Sequence, residues 1–159
     1  MLSFPGRAAV TGWTAFAEHL KAELANLPLG ARVIVFEPQP ARIRRFVQFA
    51  RDEDVLSAQL IGDRYLDENR RPTPAGYQAI TAGGWNQPDV DNGHLWWVDF
   101  DEPVTTEDCR RAAELAVTGL RDGYTITGPT ELVYDAWSDR AGHPALDLPT
   151  LGLNRQPMQ

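Results

Sequence analysis

Between Arg32 and Ile61 the sequence permits only one kind of chain path. Three runs rich in β-branched and aromatic residues follow one another: Arg32 to Phe36, Ile43 to Ala50, and Val55 to Ile61. The breaks between them are short, and Pro38, Gln39-Pro40 and Asp52-Glu53-Asp54 are turn signals. A parallel crossover needs a dozen or more residues, so the three runs are expected to form an antiparallel meander. In the third run Leu56, Ala58 and Leu60 share one face. The middle run alternates less cleanly, because Arg45 shares a face with Ile43 and Val47.

Helical patterns flank this meander. Trp13, Phe16, Ala17, Leu20, Leu24 and Leu27 form one apolar stripe, with Glu18, His19, Lys21 and Glu23 opposite. Thr11 or Thr14 is expected to cap this helix, and Pro28 with Gly30 to end it. A second, short helix is expected from Thr73-Pro74 to Gly83-Gly84, with Tyr77 and Ile80 inward and Trp85 just beyond. A third runs from Thr106 to Arg121 under a Thr105 cap, with Cys109, Ala112, Ala113, Ala116, Val117 and Leu120 as its stripe. His94 to Phe100 reads as a fourth strand, on which the adjacent Trp96 and Trp97 must point to opposite faces. Glu131 to Trp137 reads as one more short helix, with Leu132, Val133, Ala136 and Trp137 inward.

This order implies an α+β fold, an antiparallel sheet of about four to five strands flanked by helices. Residues 1–143 are expected to form a single domain. Residues 144–159 are expected to form an extended C-terminal tail that carries Leu148, Leu151 and Leu153 and is either laid on the surface or partly disordered.

Charge narrows the partners. A net charge of −7 repels phosphate, which argues against nucleic acid and anionic membrane; it fits basic polypeptide surfaces and equally fits a charge that serves solubility alone. The single cysteine, Cys109, cannot form an intrachain disulfide and suits a reducing compartment. Met1 to Gly12 has no apolar core of a secretory signal, and no apolar run reaches membrane-spanning length. The expected location is the cytoplasm.

Catalytic signatures are weak. His19, His94 and His143 are scattered and match no metal-binding spacing. Asp89-Val90-Asp91-Asn92-Gly93 resembles the start of a calcium loop, but Phe100 stands where a bidentate Glu belongs. A carboxylate-rich turn is the better reading. Asp99, Asp101 and Glu102 lie together at a strand end with no sign of the burial that acid–base work needs. Cys109 lies on an apolar stripe, unlike a reactive thiol. No nucleophile elbow, phosphate loop or dinucleotide fingerprint occurs. The expectation is a protein without catalysis, cofactor or metal.

The aromatic residues point elsewhere. Of Trp96 and Trp97, one faces the helices and the other a sheet face that can stay solvated. A tryptophan there is the kind of apolar anchor enriched at binding hot spots. Phe46 or Phe49 on a neighbouring strand would extend it.

These features resemble a known family. The helix from Trp13 to Pro28, Arg45-Phe46-Val47-Gln48-Phe49, Tyr65-Leu66, Gly84-Trp85 and the aromatic strand look like the TY-Chap proteins, which belong with type III secretion chaperones and YbjN-like proteins and are common in actinobacteria. The resemblance spans roughly residues 10–140. It implies a chaperone-like α+β fold, often homodimeric, that binds peptides or unfolded client segments with no catalysis and no cofactor. Phe46, Phe49, Trp85, Trp96 and Trp97 are the expected peptide-binding residues. Two other readings compete with it. One is a homodimeric structural or immunity-type protein that buries the sheet face between subunits. The other is an enzyme or small-molecule receptor with a pocket between helix and sheet.

Overall fold

The computed structural model describes residues 12–39 and 44–158. Its elements run α1 (Trp13–Ala25), β1 (Ala31–Phe36), β2 (Phe46–Arg51), β3 (Val55–Leu60), α2 (Pro74–Gly83), β4 (Trp96–Asp101), α3 (Thr106–Val117), β5 (Val133–Ser138) and β6 (Asn154–Arg155). The six strands make one sheet in the order β4-β3-β2-β1-β5-β6. The first three form the expected antiparallel meander, and β4 and β5 add to its two sides, also antiparallel. Only the short β6 runs parallel to its neighbour. The fold is α+β as expected, with one strand more than the upper expectation.

Local chemistry explains the helices. Thr73 accepts a hydrogen bond from the Gly76 amide, and Pro74 opens α2. Gly84 ends that helix at φ 114, a left-handed conformation in which a side chain is strained. Thr105 and Asp108 form a reciprocal capping box at the start of α3. The stripe of Cys109, Ala112, Ala113 and Ala116 is buried. Past Val117 the chain continues as one π-helical turn, Thr118–Gly123. Gly12, not Thr14, is the N-cap of α1, and Thr11 lies outside the described residues, as does Ile43.

One inner face of the sheet carries the core. Val33, Val35, Val47, Phe49, Leu56, Ala58, Leu60, Trp96, Val98 and Phe100 join the buried stripes of α1 and α3 in a single cluster. α1 and α3 pack against each other over it. Small residues on α3 let its backbone come close to the strands.

Two sequence expectations are overturned. Glu131 to Trp137 is not a helix: Val133–Ser138 is β5, paired along its length with β1. Tyr134, Asp135 and Ala136 are buried in succession, so both faces of this strand are covered and its alternation is lost. The segment from Asp147 does not lie on the surface either. Leu148, Leu151 and Leu153 are buried in the core. The backbone amide of Leu148 donates to Tyr134 Oη, which in turn reaches Asp147. The Thr150 amide donates to Glu23 on α1, and the Gln156 amide donates to the Tyr134 carbonyl. The apolar side chains fill a furrow between β5 and α1 that no other described element occupies.

A buried ionic knot closes the β1–β2 connection. Glu37 is 7% exposed and accepts from Arg45 Nε (2.7 Å), Arg45 Nη2 (2.8 Å) and Arg70 Nη2 (2.7 Å). Arg45 also donates to the Tyr124 carbonyl and lies over that ring. This explains the irregular middle run, since Arg45 turns into the protein to meet a buried carboxylate. Burial alone would raise the Glu37 carboxyl, but the hydrogen bonds and charge of Arg45, with Arg70, outweigh it and hold the group below its usual value.

Two outcomes are expected. A chain ending at Asp147 should lose cooperative unfolding or melt far earlier, because burying each leucine contributes about 1.5–3 kcal/mol; a thermal scan of the truncated protein checks this. Glu37→Gln should cost about 3 kcal/mol at pH 7 by leaving Arg45 buried without a full partner. A depressed carboxyl stabilises the fold above its unfolded-state value and loses that contribution as pH falls through the folded-state value. The gap between wild type and variant should therefore shrink below about pH 4 in urea unfolding.

Candidate functional site

Register defines the second, outer face of the sheet. Reading across β5, β1, β2, β3 and β4, one row is Trp137, Arg32, Ala50, Ser57 and Asp99. The next row is Asp135, Ile34, Gln48, Gln59 and Trp97. At the β1 end, Phe36 stands between Val133 and Phe46.

Among the described residues, this face is covered on one side only. Phe36 and Ile34 are buried outside the helical core cluster. Arg44 lies over the Phe36 ring at 5.3 Å, and it donates to Met158 Sδ. The Met158 amide donates to Asp135 Oδ2 at 3.0 Å, and Arg155 donates to Asp135 Oδ1 at 2.9 Å. The C-terminal residues thus wrap around the β5 edge and hold its buried carboxylate. Towards β2, β3 and β4 the face is open. Gln48, Ala50, Ser57, Gln59 and Trp97 are half-buried, and Asp99 is exposed.

The open area is a shallow floor between two indoles. Trp97 stands at one corner and the half-buried Trp137 at the opposite one, with Ala50 and Ser57 between them in low relief. Gln48 donates to Gln59 at 2.7 Å, which organises the middle. Arg32 is clamped by Asp52 (2.8 Å) and Asp139 (2.9 Å). These carboxylates, with Glu53, Asp54, Asp99 and Asp101, make one end of the face acidic.

The expected aromatic residues divide between the two faces. Trp97 and Phe46 belong to the outer face by register, although Phe46 also packs against the core at its strand end. Trp96, Phe49 and Trp85 are buried in the core at 3%, 2% and 3% exposure. Trp85 donates its indole N–H to the Leu115 carbonyl and so pins α3. Trp137 and the Gln48–Gln59 pair were not singled out from sequence. Assigning Trp137 to a helix hid its place beside Arg32.

The other chemical candidates are structural. Asp89 accepts from both the backbone and side-chain nitrogens of Asn92, at 2.9 Å each, and its carbonyl accepts from His94 N–H. Its carboxylate holds a turn, as the sequence suggested. Cys109 is 2% exposed, and burial, followed by the charge of Asp108, pushes its thiol up. Glu102 is paired with Arg51. Among the described residues no group of three or more His, Cys, Asp or Glu side chains is placed to hold a metal. None of the described helices is long and apolar enough to cross a membrane.

Residues 6–138 match the family model described as T3SS (YopN, CesT) and YbjN peptide-binding chaperone 3. The chain belongs to this family. The match covers α1 through β5 and both indole corners of the open face. Comparison with curated proteins and with solved structures yields no match. Membership in this peptide-binding chaperone family accords with the one-sided sheet and with a polypeptide partner.

The two adjacent tryptophans should behave differently. Trp96→Ala removes a core side chain and should cost about 3–5 kcal/mol. Trp97→Ala should cost no more than about 1.5 kcal/mol, because half-burial leaves less to lose. Urea unfolding of both variants checks the contrast.

Proposed function

We propose that this protein is a non-catalytic chaperone domain that receives an apolar segment of a client polypeptide on its outer sheet face, with Trp97 as principal anchor and Phe46 and Trp137 at the margins. The observation that carries this reading is the half-buried Trp97 at the edge of a face that none of the described helices covers. Tryptophan dominates binding hot spots because it buries a large area with few torsions to freeze. The floor of Ala50 and Ser57 lets an extended chain lie close. The acidic end of the face favours clients with lysine or arginine beside the apolar segment.

The buried free thiol of Cys109 suits a reducing compartment, so clients would be met in the cytoplasm. A place in secretion rests on the family description, which names type III secretion chaperones. A homodimer joined through this face would compete with the client for Trp97.

The test uses a permanently unfolded, leucine-rich polypeptide as probe. Trp97→Ala should weaken its binding by about 2 kcal/mol or more, read by calorimetry, while the fold stays intact. Unchanged affinity would contradict the assignment. If mutation instead converts a dimer to a monomer in light scattering, the face is a subunit interface.

A further inference from the structure

Beside Trp97 the open face carries a paired amide. Gln48 on β2 and Gln59 on β3 stand directly opposite each other, and Trp97 on β4 stands opposite Gln59. The Gln48 amide nitrogen donates to the Gln59 carbonyl oxygen at 2.7 Å. Each side-chain amide offers an oxygen acceptor and two N–H donors. The pairing therefore leaves Gln48 Oε1 as an acceptor and the Gln59 Nε2 group as a donor. Exchanging oxygen and nitrogen in both amides leaves the same set. Among the described residues neither atom has a further partner, and neither is sealed from solvent. Both residues are half-buried.

An acceptor and a donor side by side, next to an indole, complement one peptide unit with an apolar side chain. A client helix has no use for them, because its main chain is already bonded within itself. Laying its apolar stripe here would desolvate the pair without replacement. An extended client has the opposite need. On the face of a sheet it has no ladder neighbour, so its N–H and C=O groups must find side chains. Charge sets how such a segment lies. Trp97, Asp99 and Asp101 share the outer face of β4. Asp99 and Asp101 are exposed, and among the described residues neither forms an ion pair. From Trp97 to Asp101 is about 14 Å along the strand, the reach of four residues of an extended chain. Side chains i, i+2 and i+4 of that chain point the same way, and Ala50 and Ser57 leave room beneath the middle one.

We propose that the outer face takes its client as an extended segment laid along β2, β3 and β4, with the client main chain on the Gln48–Gln59 pair, an apolar side chain on Trp97, and a lysine or arginine four positions away beside Asp99 and Asp101. This rests on the outer-face reading and adds what is recognised there. The amides read main chain and not side chains, so the positions between the two anchors need only be small. One face can then serve many client sequences.

Calorimetry on the whole chain tests it with two peptides, acetylated and amidated: Thr-Leu-Ser-Ala-Ser-Lys-Thr and its reverse, Thr-Lys-Ser-Ala-Ser-Leu-Thr. Together they cover both chain directions, and at least one should bind saturably. Gln48→Met and Gln59→Met keep side-chain length and remove the amide; each should weaken the tighter peptide about fivefold, the effect of one hydrogen bond. Replacing the backbone N–H of the leucine and of the next residue by ester oxygen should weaken binding to wild type similarly, and the glutamine variants should then add little further loss. An isomer with lysine directly beside leucine should bind about threefold more weakly at low salt. If a glutamine variant does not fold, the ester comparison on wild type decides alone. Binding that Trp97→Ala weakens but that neither the glutamine variants nor the esters change overturns main-chain recognition and leaves Trp97 as an anchor. Equal binding of the isomer overturns the four-residue spacing. No binding of either peptide, or binding unmoved by Trp97→Ala, overturns the outer-face reading and this inference with it.

Discussion

A sheet of five long strands has two faces, and the described helices cover only one of them. The stripes of α1 and α3 meet Val33, Val35, Val47, Phe49, Leu56, Ala58 and Leu60 in one cluster, and the small residues of α3 let it approach closely. Strand alternation then fixes the rest. Once Trp96, Val98 and Phe100 are drawn inward, Trp97, Asp99 and Asp101 must face outward. The outer face is a consequence of sealing the inner one.

The connections around that sheet are held by buried carboxylates. Glu37 gathers Arg45 and Arg70 at the β1–β2 turn, and Asp135 gathers Arg155 and the Met158 amide at the β5 edge. Removing Glu37 would leave the buried Arg45 guanidinium without its carboxylate partner. The placement of the two carboxylates also decides how much of the outer face stays open. The C-terminal residues and Arg44 cover Phe36 and Ile34, and the free area is displaced towards β2, β3 and β4. The edge of β5 is closed by β6, so pairing with a foreign strand is blocked on that side.

Much of this was legible in the residues. The three helices carried strong stripes and side-chain or glycine caps, and the short gaps forced the meander. Adjacent Trp96 and Trp97 had to part, and they did. What failed was β5 and the tail. Leu132, Val133, Ala136 and Trp137 recur at spacings that a helix face also allows, and a strand covered on both sides shows no period of two. Only pairing with β1, more than ninety residues away in sequence, decides it. Leu148, Leu151 and Leu153 sit singly between proline and glycine, with no period to announce burial. Of the open face, Trp97 and Phe46 were visible in the sequence. Trp137 was not, because its neighbour across the sheet is a tertiary fact.

The central claim is that the uncovered face of the sheet, and not the helical layer, takes hold of another polypeptide. Amide and indole chemical-shift mapping of the full chain, titrated with an unfolded apolar polypeptide, addresses it directly. The account predicts shifts concentrated at Gln48, Ala50, Ser57, Gln59 and the Trp97 and Trp137 indoles. Shifts confined to the exposed sides of α1 and α3, with those six signals unmoved, would contradict it.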